Sequence, residues 1–201
     1  MFLKVAVSSL VSRKGSAVMT LMAISVAIFV LLGIEQIRQQ ARESFASTVS
    51  GVDLIVGAKT GSLNLLLYSV FRIGSPTDNI SWQAYREIAD ADDVAWTIPI
   101  SLGDSHKGYR VVGTTEAFFK YFSFGKKRRL AFYKGEAFEG TFDAVLGSEV
   151  ATALGYSMGT EVILAHGLAS ASFTKHDNQP FVVVGVLAPT GTPVDHTIHV
   201  R

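Results

Sequence analysis

The chain contains no cysteine, which excludes disulfides and thiolate metal sites. That composition is compatible with an oxidising periplasm without proving one. It also lacks low-complexity tracts and internal repeats. The nucleotide-binding pattern G-x-x-x-x-G-K-[ST], whose lysine reaches phosphates and whose hydroxyl binds magnesium, occurs nowhere in it. Charge of either sign is missing from twenty consecutive residues, 15–34, GSAVMTLMAISVAIFVLLGI. At about 1.5 Å per residue, a helix of that length covers roughly 30 Å, the hydrocarbon thickness of a bilayer. One transmembrane helix is therefore expected, with a folded domain hung from it.

Two further absences sharpen that reading. Secretory signal sequences carry a shorter apolar run and a small-x-small cleavage site. Here the run is longer, fourteen residues precede it, and no such site follows, so the span is read as retained. Acidic residues are absent ahead of it, where Lys4, Arg13 and Lys14 stand, whereas Glu35, Arg38, Arg42 and Glu43 mix the signs behind it. The positive-inside rule then puts the N-terminus in the cytoplasm and the domain outside. Of the 18 basic and 17 acidic residues, the three cations precede the span, leaving 15 against 17 over residues 35–201. A net charge of −2 argues against nucleic acid as a partner.

Four segments follow. Residues 1–14 form an amphipathic elbow in which Phe2, Leu3, Val5, Ala6, Leu10 and Val11 alternate with serines and cations. It suits the cytoplasmic membrane interface, either as an anchor or as a docking helix for a cytoplasmic partner. Residues 15–34 are the transmembrane helix. Residues 35–50 continue it as a helical stalk, because Ile34, Ile37, Ala41, Phe45 and Thr48 recur every three or four positions and favour packing on a partner helix. Residues 51–201 form the extracytoplasmic domain, long enough for a core of its own.

Within that domain short strands alternate with helices, and the fold class expected is α+β. Residues 53–56, DLIV, read as a buried strand between glycines. Residues 62–71 are apolar on nearly all sides, either a buried helix or a surface that meets another subunit. Ser81 caps a helix whose Trp82, Tyr85 and Ile88 share a face. Residues 94–102 and 109–114 read as strands joined by the turn GDSHKG. A helix over 115–121 carries Phe118, Phe119 and Tyr121. Residues 143–146, 148–154 and 161–165 give strand, helix, strand. Residues 181–187, FVVVGVL, are the clearest core strand. Residues 197–200 start another, and because the chain ends there without cap, tail or second span, the domain is expected to be incomplete at its C-terminal end.

Three motifs invite chemistry. Gly155-Tyr156-Ser157-Met158-Gly159 is a literal G-x-S-x-G, but the hydrolase motif needs a strand leading into a helix. Here a helix leads in and a strand leads out, so Gly155 reads as a helix stop and Gly159 as a turn residue. In GAKTG, residues 57–61, Lys59 lies between the glycines rather than after the second, and the segment reads as a strand-ending loop. Asp195, His196 and His199, with His176 and Asp177, offer imidazole and carboxylate ligands, yet in a strand His196 and His199 would point to opposite faces. The basic run 126–129 lacks interleaved aromatics and reads as a solvated loop, with contact to acidic lipid headgroups as the alternative. No catalytic, cofactor-binding or metal residue is assigned, and the chain is not expected to be an enzyme.

The layout itself is similar to a known one. The elbow and span, GVDLIVGAKTGSLNLLLYSVF, YRVVGTTEAFFKYF, AVLGSEVATALGYSMGTEVIL and PFVVVGVLAPTGTPVD, in this order, resemble the N-terminal half of MacB/FtsX-type ABC transporter permeases. The resemblance implies a MacB-like periplasmic core domain after the first of four spans, in the bacterial inner membrane. It implies an ABC ATPase subunit on the cytoplasmic side, a second permease subunit in a homo- or heterodimer, a periplasmic adaptor and membrane lipid as partners. It places Phe2, Leu3, Leu10, Arg13 and Lys14 towards the ATPase and the stalk face Ile37, Ala41 and Phe45 towards the second permease. Two other classes stand beside it: a single-span anchored periplasmic binding or sensor module, and a membrane-anchored hydrolase using Ser157 with a nearby base.

Overall fold

The computed structural model describes residues 8, 11–48, 50–74, 78–166 and 180–201, and only the backbone of residues 41–47. It divides into two compact units, residues 1–45 and 46–201. The first is built on helix α1, Lys14–Thr48, which runs without a break. Its segment Lys14–Gln40 is long and apolar enough to cross a membrane, and none of its apolar stretch is buried. Phe29, Leu31 and Leu32 are each at least two-thirds exposed. A helix apolar on every side is at rest only in lipid or against other helices.

The second unit is a mixed sheet covered by short helices, the α+β architecture that the alternation of strand and helix patterns predicts. Its helices are α2 (Ser62–Ser69), α3 (Trp82–Ala89), α4 (Glu116–Tyr121) and α5 (Ser148–Leu154). Its strands are β1 (Ser101–His106), β2 (Tyr109–Gly113), β3 (Ser123–Phe124), β4 (Arg128–Arg129), β5 (Phe132–Gly135), β6 (Asp143–Leu146), β7 (Glu161–Val162), β8 (Ala165–His166), β9 (Phe181–Leu187) and β10 (Thr197–Val200). The main sheet runs β5-β9-β6-β10-β2-β1-β8, with β7 also on β9, and β3 pairs with β4 in a separate hairpin. The β6–β9 and β10–β2 pairs are parallel; the others are antiparallel.

The segment expected as one strand over 161–165 is two. β7 pairs with β9, whereas β8, two residues later, pairs with β1. In a flat sheet β7 and β8 would lie about 29 Å apart, six strand spacings. Three residues span at most about 10 Å. The sheet must therefore curl until its two ends meet at Ile163 and Leu164. The space it encloses holds Val111, Ala144, Leu146, Val162, Leu164, Val183, Ile198 and Val200, plugged by Val150 of α5. On the opposite face a second core gathers Phe118, Phe119, Phe122, Phe138, Val145 and Leu187 beneath α4. Alternation along β10 sends Ile198 and Val200 to one core and His199 to the other.

Several local readings hold for the reasons given. Ser81 Oγ accepts the Ala84 N–H at 3.1 Å and caps α3. Gly155 ends α5 in the left-handed region at φ 65°. Gly147 stands between β6 and α5 because a Cβ there would lie 2.3 Å from the Val194 carbonyl oxygen. Other readings need correction. Residues 53–56 form no strand: Leu54 is 75 % exposed, and the neighbouring bridge is made by Ser50 to Ser123 instead. The run is apolar, but it pairs with no described strand. α2 is helical as expected, with Leu63 exposed, residues 65–69 half-buried and Val70 buried just beyond its end. The strand expected at residue 94 starts at Ser101, and residues GDSH lie inside it. The reversal is a two-residue turn at Lys107 (φ 48°) and Gly108 (φ 87°), the paired positive φ values that match the twist of a hairpin.

Candidate functional site

The residues expected to face other subunits sit at the start and in the later turns of α1. Arg13 and Lys14 are exposed at its N-terminal end, and Ile37 is 68 % exposed. Ala41 and Phe45 are helical, with side chains outside the described set, and Phe2, Leu3 and Leu10 lie outside the described residues altogether. Ile37 leaves an apolar side chain unpartnered four residues before Ala41, the spacing of one helix face.

The motifs that invite chemistry dissolve in the domain. Ser157 is exposed, and the turn is held by its backbone: its N–H donates to Thr160 Oγ1 at 3.1 Å, and the Thr160 N–H donates back to its carbonyl. In GAKTG, Thr60 N–H and hydroxyl both turn onto the Ala58 carbonyl, so the hydroxyl is spent on its own loop. His196 is in the 3₁₀ turn Pro193–His196, not in the strand, and its Nδ1 lies 3.3 Å from Glu149 Oε2. Asp195 is buried under its own loop. Its carboxylate accepts the N–H groups of Thr190 and Gly191 and the Thr190 hydroxyl, at 2.7–3.0 Å. That set consumes the lone pairs a metal would need. Among the described residues no group of three His, Asp or Glu side chains converges on a metal site; His176 and Asp177 lie outside them.

What sequence reasoning missed is a set of buried polar groups. His106 closes β1, with Nδ1–H donating to the Ile163 carbonyl at 2.7 Å, which leaves Nε2 to accept the Tyr156 hydroxyl at 2.8 Å. Burial lowers its pKa, the bond to Ile163 opposes that, and Lys107 adds to it. The histidine thus locks β1 to the segment where the sheet closes. His199 is fully buried, stacked 4.8 Å from Phe118, with Nδ1–H donating to the Val145 carbonyl at 3.3 Å and Nε2 unpartnered. Arg72, 7 % exposed and at φ 60°, donates to the Ser69 carbonyl. Burial lowers its pKa to about 10. Its charge helps hold His199 neutral, while the reverse effect vanishes because His199 carries no charge at the pH where Arg72 titrates. These contacts are internal and hold buried segments of the domain together.

Two surfaces remain. Leu54, Val56, Leu63 and Ile73 are exposed along the stretch that contains α2. The hairpin β3–β4 carries Lys126, Lys127, Arg128 and Arg129, all exposed. It is an ordered hairpin rather than a plain loop, and an aromatic ring does sit among its cations: the Arg128 guanidinium lies 4.5 Å from the centre of the Phe124 ring. A catalytic constellation is absent among the described residues, and what the geometry offers is a membrane-length helix and a domain with exposed apolar and cationic surfaces. Compared with known proteins, residues 17–200 match the family described as the MacB-like periplasmic core domain. No curated protein matches the chain.

Proposed function

Because the chain belongs to the MacB-like periplasmic core domain family, a family of ABC-transporter-type permeases, we propose that it is the permease subunit of such a transporter. It couples ATP hydrolysis by a separate ATPase subunit to export or extraction of a substrate on the periplasmic side of the inner membrane. One observation carries this reading: the family match takes in the apolar part of α1 and every described strand of the domain together. A helix apolar on all faces, free of ionisable residues over residues 15–34, anchors without lining a polar pathway. That supports transmission of motion along α1 rather than passage of substrate beside it.

In this reading Arg13 and Lys14, with Phe2, Leu3 and Leu10, meet the ATPase, and Ile37, Ala41 and Phe45 meet a second permease subunit. The deciding experiment is purification of the native gene product from detergent-solubilised membranes, with mass spectrometry of its companions. Stoichiometric recovery of a Walker-motif ATPase is the expected result. A preparation repeatedly free of any ATPase overturns the proposal and leaves a membrane-anchored binding or sensor module. The stalk is tested separately: Phe45→Glu is expected to abolish dimerisation or transport while the outer domain stays folded, and wild-type behaviour removes the stalk from the mechanism.

A further inference from the structure

Four consecutive cations stand on one small hairpin of a domain whose overall charge is slightly negative. Lys126 and Lys127 form the turn of β3–β4 and Arg128 and Arg129 its second strand. None of the four makes an ion pair among the described residues. The contacts they do make hold them without neutralising them. Arg128 rests on the Phe124 ring, and Arg129 Nη1 donates to the Lys120 carbonyl. The exposed side chain of Lys120 brings a fifth cation to the same neighbourhood. Like charges crowded in this way repel one another unless an anion is shared between them.

The base of the hairpin is tied to a particular place in the chain. Ser50 N–H donates to the Ser123 carbonyl at 2.9 Å, and the Ser123 hydroxyl donates to the Ser50 carbonyl. Ser50 is ten residues beyond Gln40, where the membrane-length segment ends. Ten residues reach at most about 35 Å, and the three from Ser123 to Lys126 add about 10 Å, so chain connectivity keeps the turn of the hairpin within about 45 Å of the end of that segment. An anionic surface is thus within reach of an unpaired cationic one.

We propose that the β3–β4 hairpin binds anionic lipid headgroups through Lys126, Lys127, Arg128 and Arg129. Guanidinium forks and ammonium groups both donate to phosphate oxygens. Each cation close to an anionic bilayer contributes about fivefold in local partitioning, so the four together favour the membrane-apposed state by roughly several hundredfold. This contact fixes the attitude of the outer domain to the membrane, the quantity a permease must control if motion in α1 is to reach a substrate. It rests on the membrane-anchored reading of the chain.

The absence of native cysteine gives a clean test. The full chain carrying Lys127→Cys labelled with a fluorophore is reconstituted in phosphatidylcholine vesicles, with or without phosphatidylglycerol. A spin label on the lipid headgroup reports proximity. A second protein labelled at Phe29→Cys, quenched by acyl-chain spin labels, reports insertion of α1. With Phe29 embedded, the hairpin label is expected to be quenched more strongly in the anionic vesicles, because the three remaining cations still favour the membrane-apposed state by about a hundredfold. The difference is expected to disappear at 1 M salt, where the screening length falls from about 10 Å at 0.1 M to about 3 Å. Changing Lys126, Arg128 and Arg129 to Gln in the labelled chain is expected to remove it as well. Equal quenching in the two vesicles, with Phe29 embedded, overturns the proposal. Shielding of the hairpin in native membranes but not in vesicles also overturns it and assigns the surface to an acidic protein. An unquenched Phe29 label instead overturns the membrane reading, a failure distinguishable from the other two.

Discussion

Acid should weaken this domain through one buried imidazole. Burial lowers the pKa of His199 to about 3, with the Arg72 guanidinium adding to the effect and the bond to the Val145 carbonyl opposing it. In the unfolded chain the same ring titrates near 6.5. Between those values the unfolded chain binds a proton that the folded chain does not. The stabilisation is therefore complete above pH 6.5 and is lost progressively as pH falls towards 3. At about 1.4 kcal/mol per pH unit, the loss is about 2 kcal/mol at pH 5 and on the order of 5 kcal/mol below pH 3. His199→Phe keeps a ring against Phe118 and removes the titration, giving up one hydrogen bond worth about 1 kcal/mol at pH 8. Denaturant titrations of the detergent-solubilised chain at pH 8 and pH 5 can be followed by fluorescence of Trp96, which stacks 5.3 Å from Tyr121. Wild type is expected to lose about 2 kcal/mol more than the variant between the two conditions. His106, whose pKa burial also lowers, is present in both and cancels. Equal losses in the two proteins would refute the argument, because they would mean that the buried ring accepts its proton without unfolding.

Three further outcomes follow from the packing. Phe118→Ala empties the centre of the second core, where Phe118 is fully buried against Phe119, Phe122 and His199; a loss of about 3–5 kcal/mol by chemical denaturation is expected. Gly147→Ala brings a methyl group onto the carbonyl oxygens of Val194 and Asp195, and since backbone must move, about 1–3 kcal/mol is lost in the same assay. Ser157→Ala leaves stability within about 0.5 kcal/mol and transport unchanged, since only backbone groups of Ser157 are engaged; a loss of activity in that variant would reopen the hydrolase reading.

The sequence alone determined whatever depends on near neighbours. Twenty uncharged residues dictate a membrane-length helix, Ser81 supplies its own cap, Gly155 stops its own helix, and FVVVGVL has the apolar run of a strand covered on both faces. Each is a property of a few consecutive residues and of local backbone physics. Tertiary structure decided what those segments do to one another. Residues 53–56 have the composition of a buried strand, but a strand exists only where it pairs with another, and here the bridge is made by Ser50 to Ser123 instead. Residues 161–165 look like one strand, yet curling of the sheet divides the segment between β9 and β1. The pattern of TIHV does not reveal that β10 is inserted between β6 and β2. That insertion buries His199 beside Phe118, far from Arg72 in sequence. Pairing, closure and desolvation are long-range, and a segment carries no record of them until the chain has folded.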